Sequence, residues 1–309
     1  MSTRSTMSTA RLPGASRTAA MVAALLAGCG AEGGPVGFLD GDGETDGWDM
    51  PGDGTWDPSD TSPPDVPSEG WDSEEECVQD IDVVFVIDVS TSMSFVLETL
   101  SDGIAEVWNY ALTFSSDPSY DPQFALVVFV DDILVTNSGS PYGTAAELQA
   151  EFDEWRAFTS SESEPGGGAG SNNDCPENAI DALYAGATLP IWREDALHIV
   201  IFATDDTFVE YPGTLGSGSL PVAHTYMQVF SSVIENEVRV AAFAAHVGVC
   251  WDSNDGEPGF FTDYGGTPAL PSATGSAAFD IQDVADGTID LTEAIKGIIL
   301  DAYCTPFII

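Results

Sequence analysis

Short runs of β-branched and aromatic apolar residues recur along the chain, and segments with helical spacing separate them. The first run, at 82–88, reads Asp-Val-Val-Phe-Val-Ile-Asp. A nearly continuous apolar run of this length is typical of a strand that is buried on both faces of a sheet. Apolar residues then fall at helical spacing from Val96 to Ala111, which predicts a helix that packs on that sheet.

The same alternation continues through the second half of the chain. Further strands are predicted at 124–130, 133–136, 197–204, 238–247 and 277–281, and further helices at 144–158, 176–187, 221–235 and 291–299. The strand at 133–136 follows its predecessor closely enough to form a hairpin with it. The pattern predicts an α/β fold, namely a three-layer, doubly wound and mostly parallel sheet with one antiparallel edge strand.

The charge of the chain excludes one class of partner. The sequence carries 51 acidic residues against 7 basic ones, for a net charge of −44. Binding to nucleic acid needs a basic patch, which so few basic residues cannot build. Hydrophobic residues make up 43% of the chain, which is enough for a globular core.

Three regions are distinguished by composition: 1–28, 29–76 and 77–309. The first resembles an export signal whose apolar run, 19–27, is too short to span a bilayer. It ends in Leu-Ala-Gly before Cys29, which resembles a bacterial lipobox and predicts lipidation of Cys29; an ordinary secretory signal is the alternative. Lipidation with two or more acyl chains would hold the protein at the bacterial envelope, in the outer membrane and facing either the periplasm or the outside.

Residues 30–76 are rich in Gly, Asp, Pro and Ser, and 15 of these 47 residues are acidic. Such a segment cannot bury enough apolar area to offset the entropy lost on ordering. We therefore expect a disordered acidic tether before a single globular domain at 77–309.

Polar side chains cluster where the predicted strands end. They are Asp88, Ser90 and Ser92 after the first strand, Asp131 and Asp132 after the second, Asp205 and Asp206 after the strand at 197–204, and Asn172, Asn173, Asp174 and Glu177 before the helix at 176–187. Ligands of open α/β sheets bind beyond the carboxyl ends of the strands. Because clustered carboxylates repel one another and no Lys or Arg stands among them, we predict a bound hard cation.

Four segments in a fixed order resemble one known family. They are Asp-Val-Ser-Thr-Ser-Met at 88–93, Phe-Val-Asp at 129–131, Asp-Cys-Pro-Glu at 174–177, and Trp192-Arg193 leading to Thr204-Asp205. Together they resemble the von Willebrand factor A (vWA) domain, most closely the A-like domain of integrin β subunits, over nearly all of 77–309. The Asp-x-Ser-x-Ser motif opens the metal-ion-dependent adhesion site (MIDAS) of that family.

The resemblance implies two metal sites. The principal site would bind Mg²⁺ through Asp88, Ser90, Ser92, Glu177 and Asp205. The adjacent site would bind Ca²⁺ through Asp131, Asn172, Asp174, the carbonyl of Pro176, and Glu177. Asp132 and Asp206 are interpreted as solvated neighbours of these ligands.

The chain also departs from the family pattern in two places. Residues 165–177 contain no Thr, although many A domains have one there, so Glu177 is expected to take its place. Phe95 and Val96 stand where integrin β subunits carry acidic residues, so the third metal site of those subunits is expected to be absent.

Four cysteines fall in the globular region and permit three pairings. The last helix should run back along the sheet and bring Cys304 to the end where Cys77 begins, whereas Cys175 and Cys250 lie in loops at the opposite end. We therefore predict disulfides Cys77–Cys304 and Cys175–Cys250.

These features predict an adhesion module, without enzymatic activity, that captures an acidic side chain of a protein partner through its metal. The loops at 207–219 and 248–275 would border the site. One alternative is a metal-dependent hydrolase or phosphatase with an aspartyl nucleophile, and another is a passive envelope protein that the metal only stabilises. His198, His224 and His246 are interpreted as packing or surface residues, and so are Trp108 and Trp192.

Overall fold

The computed structural model describes residues 79–114, 121–161, 163–168, 175–189, 191–216, 220–246 and 257–307. The predicted signal, Cys29 and the tether lie outside these residues, as do Cys77, Asn172, Asp174 and Cys250. The predictions about them therefore stay predictions. Within the described ranges, no helix combines the length and the apolar character that a membrane crossing requires.

Strands and helices alternate along the described residues, as the sequence pattern predicts. The strands are β1 (Asp80–Asp88), β2 (Gln123–Phe129), β3 (Ile133–Val135), β4 (Ala196–Ala203), β5 (Thr214–Leu215), β6 (Leu220–Pro221), β7 (Val238–Ala244) and β8 (Ala278–Asp280). The helices are α1 (Ser94–Leu112), α2 (Ala145–Phe158), α3 (Ala179–Ala187), α4 (Tyr226–Glu235), α5 (Leu270–Ala273), α6 (Ile281–Ala285) and α7 (Leu291–Ala302).

Six strands form one sheet in the order β3-β2-β1-β4-β7-β8. Every neighbouring pair is parallel except β2 and β3, which are antiparallel. The fold class is therefore confirmed: a doubly wound, mostly parallel α/β sheet with one antiparallel edge strand. Because the chain passes from β1 to β2 on one side and returns to β4 on the other, the carboxyl ends of β1 and β4 form the switch point where such sheets bind ligands.

Each face of the sheet carries its own core. Val83, Phe85 and Ile87 of β1 pack with α1, α2 and α7 on one face, and Val84 and Val86 pack with α3 and α4 on the other. Side chains alternate along a strand, so Asp88 shares the face of Val84 and Val86. The sequence thus directs the last carboxylate of β1 toward the side on which α3 begins.

Two predicted helices begin later in the chain than their patterns indicate. The helix predicted from residue 176 starts at Ala179. Glu177 is excluded from it because its backbone forms an isolated parallel β-bridge with Phe208, and its N–H donates a hydrogen bond of 2.9 Å to the carbonyl of Thr207. The helix predicted from residue 221 starts at Tyr226, where Thr225 and Gln228 form a capping box. Such a box satisfies backbone N–H groups that the first turn leaves unpaired.

Candidate metal centre

Asp88, the last residue of β1, is fully buried, and both of its carboxylate oxygens accept hydrogen bonds. The backbone N–H of Ser90 donates to Oδ1 over 2.7 Å, and the hydroxyl of Thr204 donates to Oδ2, also over 2.7 Å. Thr204 follows β4 immediately, so the parallel pairing of β1 and β4 brings these two groups together. The carboxylate is thereby held in one orientation at the switch point.

The two serines of the motif connect Asp88 to the loop after β4. The hydroxyl oxygens of Ser90 and Ser92 lie 3.2 Å apart, and Ser92 donates a hydrogen bond of 2.9 Å to Oδ1 of Asp205. Ser90 is buried, whereas Ser92 is exposed. The predicted set of Asp88, Ser90, Ser92 and Asp205 is therefore assembled in one place, and it reaches solvent at Ser92.

Asp206 belongs to the same cluster. Single carboxylate oxygens of Asp88, Asp205 and Asp206 lie within 4.8 Å of one another, and Asp206 is only 9% exposed. The interpretation of Asp206 as a solvated neighbour was wrong. Its backbone N–H donates a hydrogen bond of 3.1 Å to the hydroxyl of Thr204, which turns the loop after β4 back toward Asp88.

Glu177 is the least satisfied carboxylate of the site. Its side chain has no exposed surface, and among the described residues neither of its carboxylate oxygens has a hydrogen-bond partner. Burial, followed by repulsion from Asp88, Asp206, Asp131 and Glu164, raises the pKa of Glu177 to about 11. A buried, unpartnered carboxyl among other carboxyls is costly unless a cation neutralises it.

Burial also raises the pKa of two neighbouring carboxylates, Asp88 and Asp205. Burial and then repulsion from Asp205 raise the pKa of Asp88 to about 7, and burial raises the pKa of Asp205. Carboxylates and hydroxyls are the donors that hard divalent cations prefer. The residues present therefore fit the divalent cation that the sequence motif predicts at the principal site.

The second predicted site is described only in part. Asp131 is buried and Pro176 is half-buried. Asn172 and Asp174 lie outside the described residues. Gly216 approaches Asp131 so closely that a Cβ atom at this position would clash with the carboxylate of Asp131. The Ca²⁺ site therefore stays a prediction.

Glu164 is a residue that the sequence reasoning missed. It is buried, and its Oε2 accepts hydrogen bonds of 3.0 Å from the backbone N–H groups of both Asp131 and Asp132. Burial raises its pKa to about 7. Asp132 instead uses its carboxylate to accept hydrogen bonds from Gly166 and Gly168. Nothing in the sequence around Glu164 distinguishes it from the other acidic residues of its loop.

The histidines and tryptophans set aside above contact other parts of the fold. Both ring nitrogens of His198 lie 2.7 Å from backbone carbonyl oxygens, and His224 contacts Asp181 over 2.8 Å. The ring of His246 meets that of Phe261 edge-on. Trp108 stacks on Phe124 with ring centroids 4.6 Å apart, and Trp192 donates a hydrogen bond of 3.1 Å to the carbonyl of Ala187.

Cys175 and Cys304 each take part in a disulfide bond. Their predicted partners, Cys250 and Cys77, lie outside the described residues, so both pairings remain predictions. The hydroxyl of Tyr303 lies 3.4 Å from the backbone nitrogen of Gln79, so the chain next to Cys304 does pass close to the start of β1.

No family model and no curated protein sequence matches this chain. Solved structures similar to it include proximal thread matrix protein 1 from the mussel byssus, which is 14% identical over 72% of this chain with a TM-score of 0.41. A second structure of the same mussel protein, with a zinc-occupied MIDAS motif, is 14% identical over 75% of this chain with a TM-score of 0.42. An aerotolerance-related membrane protein from Bacteroides fragilis is 13% identical over 71% of this chain and 98% of its own, with a TM-score of 0.39. The chain spans about half the length of the mussel protein, 47–48%. Since none of these TM-scores reaches 0.5, the fold class rests on the strand order described above.

Proposed function

We propose that this protein is a non-enzymatic binding module that captures an acidic group of a protein partner through a divalent cation. The observation that carries the proposal is Glu177, whose buried carboxylate has no hydrogen-bond partner among the described residues and is repelled by Asp88 and Asp206. Mg²⁺ would be held by Asp88, Ser90, Ser92, Glu177 and Asp205. Asp206 joins them as a further candidate ligand because its carboxylate lies in the same cluster.

The composition of the site suits capture of a ligand. An ion bound there would offer a coordination position to a carboxylate of the partner. The two serine hydroxyls are neutral donors, so they would leave more of the ion's charge uncompensated than two carboxylates would. Ser92 is exposed, which gives an incoming group access to this end of the cluster.

The net charge of the chain supports a metal-dependent mode of binding. With a net charge of −44, the chain as a whole repels acidic partners. A carboxylate of a partner could therefore approach the cluster of Asp88, Asp205 and Asp206 only if a cation has neutralised the negative charge of that cluster. The proposal thus predicts that capture needs the ion and weakens in the presence of a chelator.

We further propose, from the sequence, that lipidated Cys29 and the acidic segment at 30–76 hold the domain at the bacterial envelope and away from its surface. An adjacent Ca²⁺ at Asp131, Asn172, Asp174, Pro176 and Glu177 would stiffen the loop that carries Glu177. Both statements concern residues that lie partly or wholly outside the described ranges.

The proposal is tested by capture from intact envelopes with and without EDTA, using the wild-type protein and the variants Asp88→Asn and Asp102→Asn. Asp102 is an exposed residue of α1, so its variant is matched in charge and leaves the site intact. We expect EDTA and Asp88→Asn to abolish capture of the same partner and Asp102→Asn to leave it unchanged.

Two other outcomes favour the alternative functions. Thermal stabilisation by Mg²⁺ without any EDTA-sensitive capture would favour a passive envelope protein. Hydrolysis of model phosphate esters that is lost in Asp88→Asn would favour a metal-dependent hydrolase. Either result contradicts the proposed function.

A further inference from the structure

An apolar pocket opens next to the carboxylate cluster, on the face of the sheet that carries α1 and α6. It has a volume of about 180 Å³ and is lined by apolar groups of Phe95, Ala245, Ile281 and Ala285. Asp205, whose carboxylate also belongs to the cluster with Asp88 and Asp206, forms part of the wall. The pocket and the candidate metal centre are therefore continuous.

The pocket is built from elements that the fold holds in place. Phe95 lies in the first turn of α1, directly after the serine motif, and packs against the core. Ile281, which begins α6, is buried. Asp280 caps that helix, since its Oδ1 accepts a hydrogen bond of 3.0 Å from the backbone N–H of Gln282.

We propose that this pocket receives an apolar side chain that stands next to the acidic group of a protein ligand. The inference rests on the proposed function, because the carboxylate of the same ligand would bind the ion held by Asp88 and its neighbours. The occupant is a branched aliphatic residue, such as Leu, adjacent to an Asp or Glu in the partner.

The size and the lining of the pocket carry this inference. A cavity of roughly 150 Å³ lined by Leu, Ile and Phe side chains accommodates a molecule the size of benzene, and the present pocket, at about 180 Å³, is slightly larger. A leucine side chain therefore fits in volume. Burying it there removes apolar surface from water on both partners, which favours binding.

The charges at the wall exclude the other kinds of side chain. Asp205 and Asp280 would repel a second acidic residue. A lysine of the ligand would bring its ammonium group against Phe95, Ala245 and Ile281, where burial of a charge is costly, and the bound ion would already neutralise Asp205. An apolar side chain incurs neither the repulsion nor this desolvation cost.

The test uses four blocked peptides with a single central Asp that is flanked by Gly, Leu, Lys or Glu. Each is titrated into the Mg²⁺-loaded protein by calorimetry, with and without excess EDTA. We expect the Leu peptide to bind about tenfold more tightly than the Gly peptide, because a partly buried aliphatic side chain contributes on that order. EDTA should abolish the binding of all four peptides.

Two variants confine the effect to the pocket. Ala285→Glu changes an exposed residue at its rim and should remove the Leu preference, so that the Leu and Gly peptides bind equally tightly. Met227→Glu is the matched control, since Met227 is 54% exposed on α4, which packs on the other face of the sheet; it should keep the full preference.

The remaining outcomes distinguish failure of this inference alone from failure of the proposed function. If the peptides bind in an EDTA-sensitive way but Gly, Leu and Lys bind equally, or Lys binds best, the pocket is not an apolar subsite and the proposed function stands. If none of the peptides shows EDTA-sensitive binding, the proposed function fails, and this inference fails with it.

Discussion

The hydroxyl of Thr204 donates a hydrogen bond of 2.7 Å to the carboxylate of Asp88. The same hydroxyl accepts one of 3.1 Å from the backbone N–H of Asp206. One fully buried oxygen atom therefore links the end of β1 to the loop after β4, and it positions two carboxylates of the candidate metal centre at once.

Replacement of Thr204 by Val should weaken both the fold and the site. Val preserves the shape of Thr but leaves the buried N–H of Asp206 without its acceptor, which costs about 1–3 kcal/mol. Asp88 also loses a donor, so the affinity for Mg²⁺ should fall. Urea denaturation and calorimetric Mg²⁺ titration measure these effects, and Thr204→Ser should restore both. A Val variant with wild-type stability and affinity would contradict this role.

Glu177→Gln should change stability and metal affinity in opposite directions. The folded-state pKa of Glu177, about 11, lies above its ordinary value of 4.5; such a carboxyl costs stability as the pH rises through this range. At pH 8 in EDTA the folded protein must keep Glu177 protonated, whereas the unfolded chain does not bind that proton. Gln removes this cost and should therefore stabilise the protein by about 2 kcal/mol or more. Loss of a ligand should lower Mg²⁺ affinity about tenfold or more.

The matched control for Glu177→Gln is Glu235→Gln, which removes the same charge from an exposed position on α4. It should change neither quantity. If Glu177→Gln instead destabilised the protein in EDTA, the carboxylate would have a favourable partner and the argument for a cation would fail.

At the opposite end of β1, Arg193 neutralises the fully buried Asp82. The Nε atom and the backbone N–H of Arg193 each donate a 2.8 Å hydrogen bond to that carboxylate. Burial raises the pKa of Asp82, and Arg193 offsets part of that effect. Arg193→Met should destabilise the protein by about 3–5 kcal/mol, since it leaves a buried charge unpaired.

Unfolding in urea measures this cost, and the double variant Asp82→Asn/Arg193→Met should recover much of it. Mg²⁺ affinity should stay unchanged in the folded variants, because Asp82 and Asp88 lie near opposite ends of a nine-residue strand. Recovery that fails in the double variant would show that Arg193 stabilises the fold through contacts other than Asp82.

Glu257 predicts a pH dependence outside the metal centre. It is buried, and burial raises its pKa to about 7 from the ordinary 4.5. Stability should therefore fall as the pH rises from about 4.5 to about 7, and Glu257→Gln should remove that loss, which is at most about 3 kcal/mol. Thermal melting of both proteins at pH 5 and pH 8 tests this. Equal differences at the two pH values would show that ionisation of Glu257 is not the cause.

The sheet and the motif residues could be predicted from the sequence because their signals are local. Apolar runs such as 82–88 indicate buried strands by composition alone, and Asp88 follows such a run directly. The rule that parallel strands present their carboxyl ends at one edge then brings Asp88, Asp131 and Asp205 to the same region. The antiparallel pairing of β3 followed in the same way from the short connection after β2.

The rest of the site depends on contacts between distant parts of the chain, which local sequence patterns do not predict. Thr204 lies 116 residues along the chain from Asp88, to which it donates a hydrogen bond. Glu164 lies 33 residues from Asp131, whose backbone N–H donates a hydrogen bond to it. Asp206 and Asp132 each follow another acidic residue at a strand end, and the sequence does not distinguish their roles. Asp206 is buried among carboxylates, whereas Asp132 accepts hydrogen bonds from the backbone N–H groups of two glycines. Burial and hydrogen bonding set the role of a carboxylate, and both arise only when loops from separate crossovers pack at the same edge of the sheet.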